Sequence, residues 1–502
     1  MRVLAILGRS TWALLVLALT GAVVLAGIRF PTPATPAVPP EAVAVPAPGT
    51  VLVCPGPIRL PTELEPGADV SYDPQFDTSQ TASVSQLAVI TARPGAGGAA
   101  EGVIRGLAGG PDLARVIEGA GGTRLSDPAA ALVIRADAVD EVPAWVAGTL
   151  NVRTDDGDLR GLVAAACQLP AAQTWLVGGG TELGTSARLV LQNPGVTPAT
   201  VTVRMWGASG PVEVAGTPEY LVPPGSERVV LLEGIAAEQR HVVVQTSAVG
   251  GLVTAYLQDS RMRGLVPAGV DDVVGGQPPA LQQVVPGVVV VESVAADAEP
   301  GVLRVLAPGA DGGAVEVTLL GAAGPVSLPG ANADLEPGAV LDIPLSGLPA
   351  GSYTAVVTAG VPVVAGALLM RGATGEAAEQ PSELAWAPSV ALGRAGPLAL
   401  PDGATGQLLL AVVPHEGSRG PSTVTIEAQG SGGTTVVERR VPEGTTVALP
   451  LAGLADGISG LVVRTEDARI AWAVVLESDD MVSVLAPVPP RTPQPQVAVQ
   501  VR

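Results

Sequence analysis

An internal repeat constrains this chain more than any other feature, because a unit that recurs must fold the same way each time and bury its own apolar face. The opening strand and turn read LVLQNPG from Leu189, LRVLAPG from Leu303 and, more loosely, LLAVVPHEG from Leu409. A strand of period-two alternation follows in each copy. Val201/Val203/Met205, Val315/Val317/Leu319 and Val424/Ile426/Ala428 lie on one face, and Thr202/Arg204, Glu316/Thr318 and Thr425/Glu427 on the other. Next come a turn and a shared strand, PPGSERVVLLEGI, EPGAVLDIPLSGL and PEGTTVALPLAGL. Pro344 and Pro450 occupy outward positions there, which predicts an edge strand, where a missing N–H donor costs little. Each copy closes with a hairpin, and the matching threonines Thr246, Thr358 and Thr465 give a period of about 110 residues, the length of an immunoglobulin-like or fibronectin-like sandwich.

A degenerate fourth copy is expected in front, because LNVRTDDGDLRGLVAAACQ at 150–168 matches the closing hairpin of the last copy. Its middle departs from the pattern, and Pro111–Glu118 is expected to form a short helix. The apolar stock, 47% of the chain, is mostly Val, Leu and Ala, and 63 Gly with 48 Pro punctuate it, a mixture suited to short strands between tight turns. The reading is therefore all-β, with tandem immunoglobulin-like or fibronectin-like β-sandwich modules after one N-terminal transmembrane helix. Gly/Pro-rich joints place a divergent β domain at 50–170 and sandwich modules at 171–272, 286–375 and 386–488, followed by a flexible tail at 489–502.

The amino terminus sets the compartment. Arg2 and Arg9 precede the apolar run Trp12–Ile28, and Arg29 closes it, so residues 1–30 read as a signal anchor with the bulk of the chain exported. A cleavable signal peptide, cut after Val24-Leu25-Ala26, is the rival and would release the protein. Residues 31–49 are a Pro/Ala-rich spacer. Two cysteines follow, Cys54 and Cys167, and an oxidising compartment favours a disulfide between them over two buried thiols.

Composition excludes several chemistries. The net charge of −20 argues against nucleic acid, because no basic cluster is present to meet phosphates. There is no lysine at all, hence no P-loop lysine, no Schiff base and no Ser-Lys dyad. Of the two histidines, His241 begins an apolar strand, and His415-Glu416 lacks the second histidine of a zinc-protease helix. No cofactor or metal is expected. The acid pairs Asp155/Asp156, Asp271/Asp272, Glu466/Asp467 and Asp479/Asp480 read as solvated turns rather than metal ligands. Trp175 and Trp386 each precede a repeat and are expected at module joints, and Trp206 takes an outward position on its strand.

The segments VCPGP at 53–57, CQLPAAQTWLVGGGTELGTSARLVLQNPG at 167–195, VPPGSERVVL at 222–231 and LQDSRMRGLVPAGVD at 257–271 resemble an actinobacterial family of unknown function, domain of unknown function 5719. The resemblance spans nearly the whole exported chain and implies an N-terminal membrane segment and an envelope setting. It supplies no catalytic residues. Within Leu257–Asp271, the residues Gln258, Asp259, Ser260 and Arg261 are expected to form a shared surface or joint. The expected function is a non-enzymatic structural or protein-interaction component of the cell envelope, with other envelope proteins as partners. The shared-strand edge of module 171–272, which lacks the proline, is the expected site of strand addition. The alternatives are a cell-wall glycan-binding protein and, less favoured, a hydrolase in the first domain using Asp137, Asp140 and Glu141.

Overall fold

Period-two alternation buries one face of a strand, and a sheet so patterned must find a second sheet to cover that face. The computed structural model describes residues 12, 14–25, 41–44, 46–60, 83–92, 99–118, 121–291, 300–372, 380–415, 417, 420–490 and 496–499. The chain divides into two units, Met1–Ala47 with Gln494–Arg502, and Pro48–Pro493.

In the smaller unit, residues 12 and 14–25 are helical and exposed. The remainder of the expected anchor, residues 1–11, 13 and 26–30, lies outside the described residues, and no described helix is long and apolar enough to cross a membrane. Glu41–Ala44 pairs antiparallel with Gln496–Val499. The segments read as a spacer and a loose tail therefore each contribute a strand. The prolines of both segments do not prevent this, because the pairing involves only the proline-free stretches EAVA and QVAV.

In the larger unit the described residues form four sandwiches of two antiparallel sheets each. The first has strands Thr50–Cys54, Val84–Ala92, Glu101–Gly106, Ala114–Ile117, Thr123–Ser126, Leu132–Ala136, Trp145–Thr154 and Gly161–Ala166. The second has Gln173–Val177, Thr185–Asn193, Ala199–Gly207, a fourth position split into Gly210–Val212 and Glu219–Val222, then Ser226–Leu231, Val243–Val249, Thr254–Arg263 and Val266–Val273. The third has Ala280–Val290, Val302–Leu306, Gly313–Gly321, Gly324–Leu335, Val340–Pro344, the long strand Gly351–Gly372, which serves as both sixth and seventh, and Ser382–Pro388. The fourth has Gly396–Ala399, Gly406–Val412, Ser422–Gly430, Gly433–Val441, Thr446–Pro450, Gly460–Arg464, Ile470–Ser478 and Met481–Leu485.

Counting strands within each sandwich, all four share one order, 1-6-3-4 in one sheet and 5-2-7-8 in the other. The two-sheet architecture is that expected from the repeat. The order is its own: the first strand pairs with the sixth, whereas in a constant-type immunoglobulin domain it pairs with the second. The fifth strand lies at a sheet edge, and Pro344 and Pro450 are exposed there. The inward rows of the third strands, such as Val424, Ile426 and Ala428, are buried in the cores.

Two local expectations change. Pro111–Glu118 is not a helix; Ala114–Ile117 is an edge strand paired with Glu101–Ile104, and Val116 is buried between exposed Arg115 and Ile117, a period of two rather than 3.6. The gaps between the expected modules, 273–285 and 376–385, contain strand residues, because the third sandwich begins at Ala280 and its eighth strand is Ser382–Pro388.

The sandwiches are not a string. The eighth strand of the first packs against those of the second and fourth, and the eighth strand of the third against the same two, so the four meet at a common hub. Apolar outer faces fill the seams around it. Trp175, Val177, Trp206 and Val243 of the second meet Leu306, Val340 and Val364 of the third. Val284, Leu320 and Val356 of the third meet Val390, Ala411, Val413 and Ala471 next to and within the fourth. Ala399 of the fourth meets Ala88, Ile90 and Ala147 of the first, and Val270 of the second meets Leu150, Val152 and Val163 of the first. Close approach explains two glycines: a Cβ on Gly366 would stand 2.9 Å from the Val177 carbonyl oxygen, and one on Gly460 2.6 Å from Ile90 Cδ1. The result is a closed ring.

Candidate functional site

Covering a sheet on both faces removes water from any polar side chain on it, so each such group needs a partner in the neighbouring module. Trp386, on the eighth strand of the third sandwich, organises the largest such set. Its indole N–H donates to Asp259 Oδ2 at 2.8 Å and its backbone N–H to Asp271 Oδ2 at 2.7 Å, both on the second sandwich. The Arg304 guanidinium lies 5.0 Å from the ring centroid and that of Arg261 5.8 Å, placing two cations over one indole.

Arg304 is 2% exposed and fully engaged. It forms a fork with Asp342 at 2.8 and 2.9 Å, and its Nη1 donates across the seam to the carbonyls of Gly179 at 2.7 Å and Val242 at 3.0 Å. Burial pushes the Asp342 carboxyl up, but the charge and hydrogen bonds of Arg304 outweigh it and the net displacement is downward. His241 Nε2 stands 3.5 Å from Asp342, and burial lowers this imidazole against the pull of that carboxylate.

The seam between the first and second sandwiches uses backbone recognition. Gln258 brackets one residue, its Oε1 accepting from the Arg59 N–H at 2.9 Å and its Nε2 donating to the Arg59 carbonyl at 2.7 Å. The Tyr256 hydroxyl accepts from the Gly56 N–H at 3.2 Å. At the hub, Ser483 Oγ of the fourth sandwich accepts from the Ala164 N–H of the first at 3.0 Å and lies 3.3 Å from Asp271 Oδ1 of the second. On the rim between fourth and first, Arg153 contacts Asp155 and Asp479 at 2.8 and 3.0 Å, and Arg160 contacts Asp480 at 2.7 Å.

These contacts relocate several residues singled out in the sequence. Gln258 and Asp259 are 3% and 0% exposed and their partners are intramolecular; Ser260 and Arg261 are half-buried, the latter 3.0 Å from Asp259. The quartet belongs to a joint and not to an open surface, because the strand carrying it is covered by the first and third sandwiches. Asp271 and Asp272 are not a solvated turn either; both are buried on a strand. Cys54 and Cys167 form a disulfide that closes the first sandwich across 113 residues. Asp137, Asp140 and Glu141 are exposed, the latter two at φ 49° and 62° in a tight turn. His415 is exposed, and its neighbour Glu416 lies outside the described residues.

The tryptophans of the ring serve packing. Trp175 and Trp206 stack at 5.2 Å within the second–third seam, Trp472 is buried and donates to the Arg394 carbonyl at 2.9 Å, and Trp145 lies beneath Arg464. The void beside Trp386, lined by Val177, Val273 and Pro388, is ≈ 10 Å³, room for one water at most. Arg304 and Asp342 escaped notice in the sequence. The available signal was a charged residue inside each of two strands otherwise read as apolar, VLRVL and VLDIP.

Fold and junction together define the class: a disulfide-containing all-β protein whose buried polar residues join sandwich modules to one another. The chain belongs to a family of unknown function, DUF5719, whose model matches residues 122–452, from the fifth strand of the first sandwich into the fourth. No curated protein matches the sequence. A solved structure described as "Biofilm associated protein - BSP domain" aligns at 9% identity over 88% of this chain and 96% of its own, with a TM-score of 0.11, too low to indicate a shared fold.

Proposed function

We propose that this protein is a non-enzymatic structural component of the cell envelope, a stiff four-sandwich body that holds or is held by other envelope proteins. The observation that carries the reading is the use made of the buried polar residues: Gln258, Asp259, Asp271, Arg304 and Ser483 each bond to a different module. Such contacts fix the modules relative to one another, which serves a scaffold. The disulfide supports an oxidising, extracytoplasmic location. The apolar segment Trp12–Ile28 supplies either an uncleaved anchor or an export signal. Partner docking is assigned to exposed ring surface, including the proline-free edge strand Ser226–Leu231, where Glu227 and Arg228 face solvent. The test is crosslinking of intact cells followed by mass spectrometry. Reproducible crosslinks from the second sandwich to a small set of envelope proteins are expected; turnover of peptidoglycan or envelope polysaccharide by the purified chain would overturn the proposal.

A further inference from the structure

Three carboxyl groups occupy the hub with no cation bonded to any of them among the described residues. Asp272 and Glu383 are 4% and 1% exposed; neither Asp272 oxygen has a hydrogen-bond partner, and the backbone N–H groups of Leu162 and Leu384 pull on Glu383 from outside hydrogen-bond geometry. Asp271, 1% exposed, accepts from the Trp386 N–H and lies near Ser483 Oγ, both neutral donors. The nearest opposing charges are committed or held off: Arg160 of the first sandwich faces Glu383, but its Nη2 bonds to Asp480 of the fourth and its buried Nη1 hydrogen-bonds to no group, and Arg371, opposite Glu383 across the ladder, pairs with Glu477. Asp480 adds its own negative charge toward Glu383. Arg188 faces Asp272 without hydrogen-bonding it. Asp271 also feels the negative charge of Asp272 and of Glu383.

An isolated carboxylate in such surroundings is expensive, and the group takes a proton instead. Packing leaves no slack for hydration, since a Cβ on Gly161 of the first sandwich would stand 2.9 Å from Glu383 Oε1, and one on Gly269 of the second 2.5 Å from the Leu384 N. We propose that these carboxyls make the hub a proton-dependent latch: protonated, they allow the eighth strands to pack, and ionised, they part the first, second and third sandwiches there. Burial supports this, pushing Asp272 up to about 8 against the pull of Arg188 and Glu383 up to about 9 against that of Arg160. Asp271 is raised well above its ordinary range by burial.

The sign follows from linkage. Between about pH 4 and about pH 9 the closed hub binds more protons than the opened one, so raising the pH favours opening. The experiment is hydrogen exchange on the full chain from about pH 6 to about pH 10, each rate divided by that of the unfolded peptide at the same pH. Protection in 161–166, 266–273 and 382–388 should fall about tenfold or more, while the third-strand core around Val315–Leu319 and Val424–Ala428 holds. In the double variant D272N/E383Q, which keeps side-chain size and leaves only Asp271 of the three to titrate, hub protection should fall far less than in the wild type. A uniform fall, no fall, or the same fall in the variant would overturn the latch. Infrared spectroscopy of the wild-type chain tests it without any variant: a buried protonated-carboxyl band should be present at neutral pH and vanish on the way to about pH 10, and its absence at neutral pH also defeats the proposal.

Discussion

Replacing Arg304 by Met isolates what a buried charge does at the second–third seam. Met matches the length of the stem and packs under Trp386, so the loss is chiefly that of the guanidinium. Asp342, only 10% exposed on its side chain, would keep only His241 and the charge of Arg261 as opposing groups, and the Gly179 and Val242 carbonyls would each lose a donor. Breaking a buried ion pair from one side costs about 3–5 kcal/mol, most of it the stranded partner. Arg304→Met should therefore destabilise the ring by about 4 kcal/mol. The double variant Arg304→Met/Asp342→Leu removes the stranded charge and should recover more than half of that loss, leaving about 1–2 kcal/mol for the two carbonyls. Urea unfolding of wild type, both single variants and the double, followed by tryptophan fluorescence, closes the cycle. If the double variant loses the sum of the two singles, the pair is not coupled and the account of this seam fails.

The chain-entropy model gives the Cys54–Cys167 bridge, closing 113 residues, about 4–5 kcal/mol, so Cys54→Ser/Cys167→Ser should unfold the first sandwich at markedly lower urea; an unchanged midpoint would contradict it. Gly366→Ala sets a methyl against the Val177 carbonyl across the seam and should cost about 1–3 kcal/mol, whereas Gly210→Ala, where nothing lies within 4 Å but φ is 116°, tests backbone strain alone. Asp467 is held well below the ordinary carboxylate range by its hydrogen bond from Arg469, and further by Ser422. Because that folded value is depressed, its stabilisation is complete above about pH 4 and is lost as the pH falls through the folded value. Asp467→Asn should flatten this acid limb in pH-dependent unfolding, and an unchanged limb would remove Asp467 from the account.

How much of the ring was legible in the sequence turns on the difference between third and eighth strands. The third strands alternate, Val201/Val203/Met205 inward and Thr202/Arg204 outward, and the alternation is what water on the outer face requires. The eighth strands do not. Gly161–Ala166, Ser382–Pro388 and Met481–Leu485 are buried at every position, and Val266–Val273 over its last six residues. A short strand without alternation has both faces covered, and within a sandwich only one face can be covered by the partner sheet. The run LVAAA therefore carried the information that a second module lies against it. Which module it is does not follow from periodicity, because the match depends on shape: Gly460 admitting Ile90, or Gly161 admitting Glu383.

The same distinction explains why the acids of Val270–Val273 were read as a turn. An acid pair between glycine-rich stretches ordinarily marks a solvated loop, where short polar side chains satisfy the backbone. Here Ala268, Val270 and Val273 around the pair are buried, so Asp271 and Asp272 stand inside a strand covered on both sides. In that setting a carboxyl without enough hydrogen-bond donors is stabilised either by a cation or by a proton. A chain without lysine has few cations to offer, and the arginines nearest Glu383 are engaged elsewhere, Arg160 with Asp480 and Arg371 with Glu477. Protonation is what remains. The composition that excludes lysine chemistry thus also shapes the hub, leaving neutral donors such as the Trp386 N–H and Ser483 Oγ to meet a carboxyl where a charge would otherwise stand.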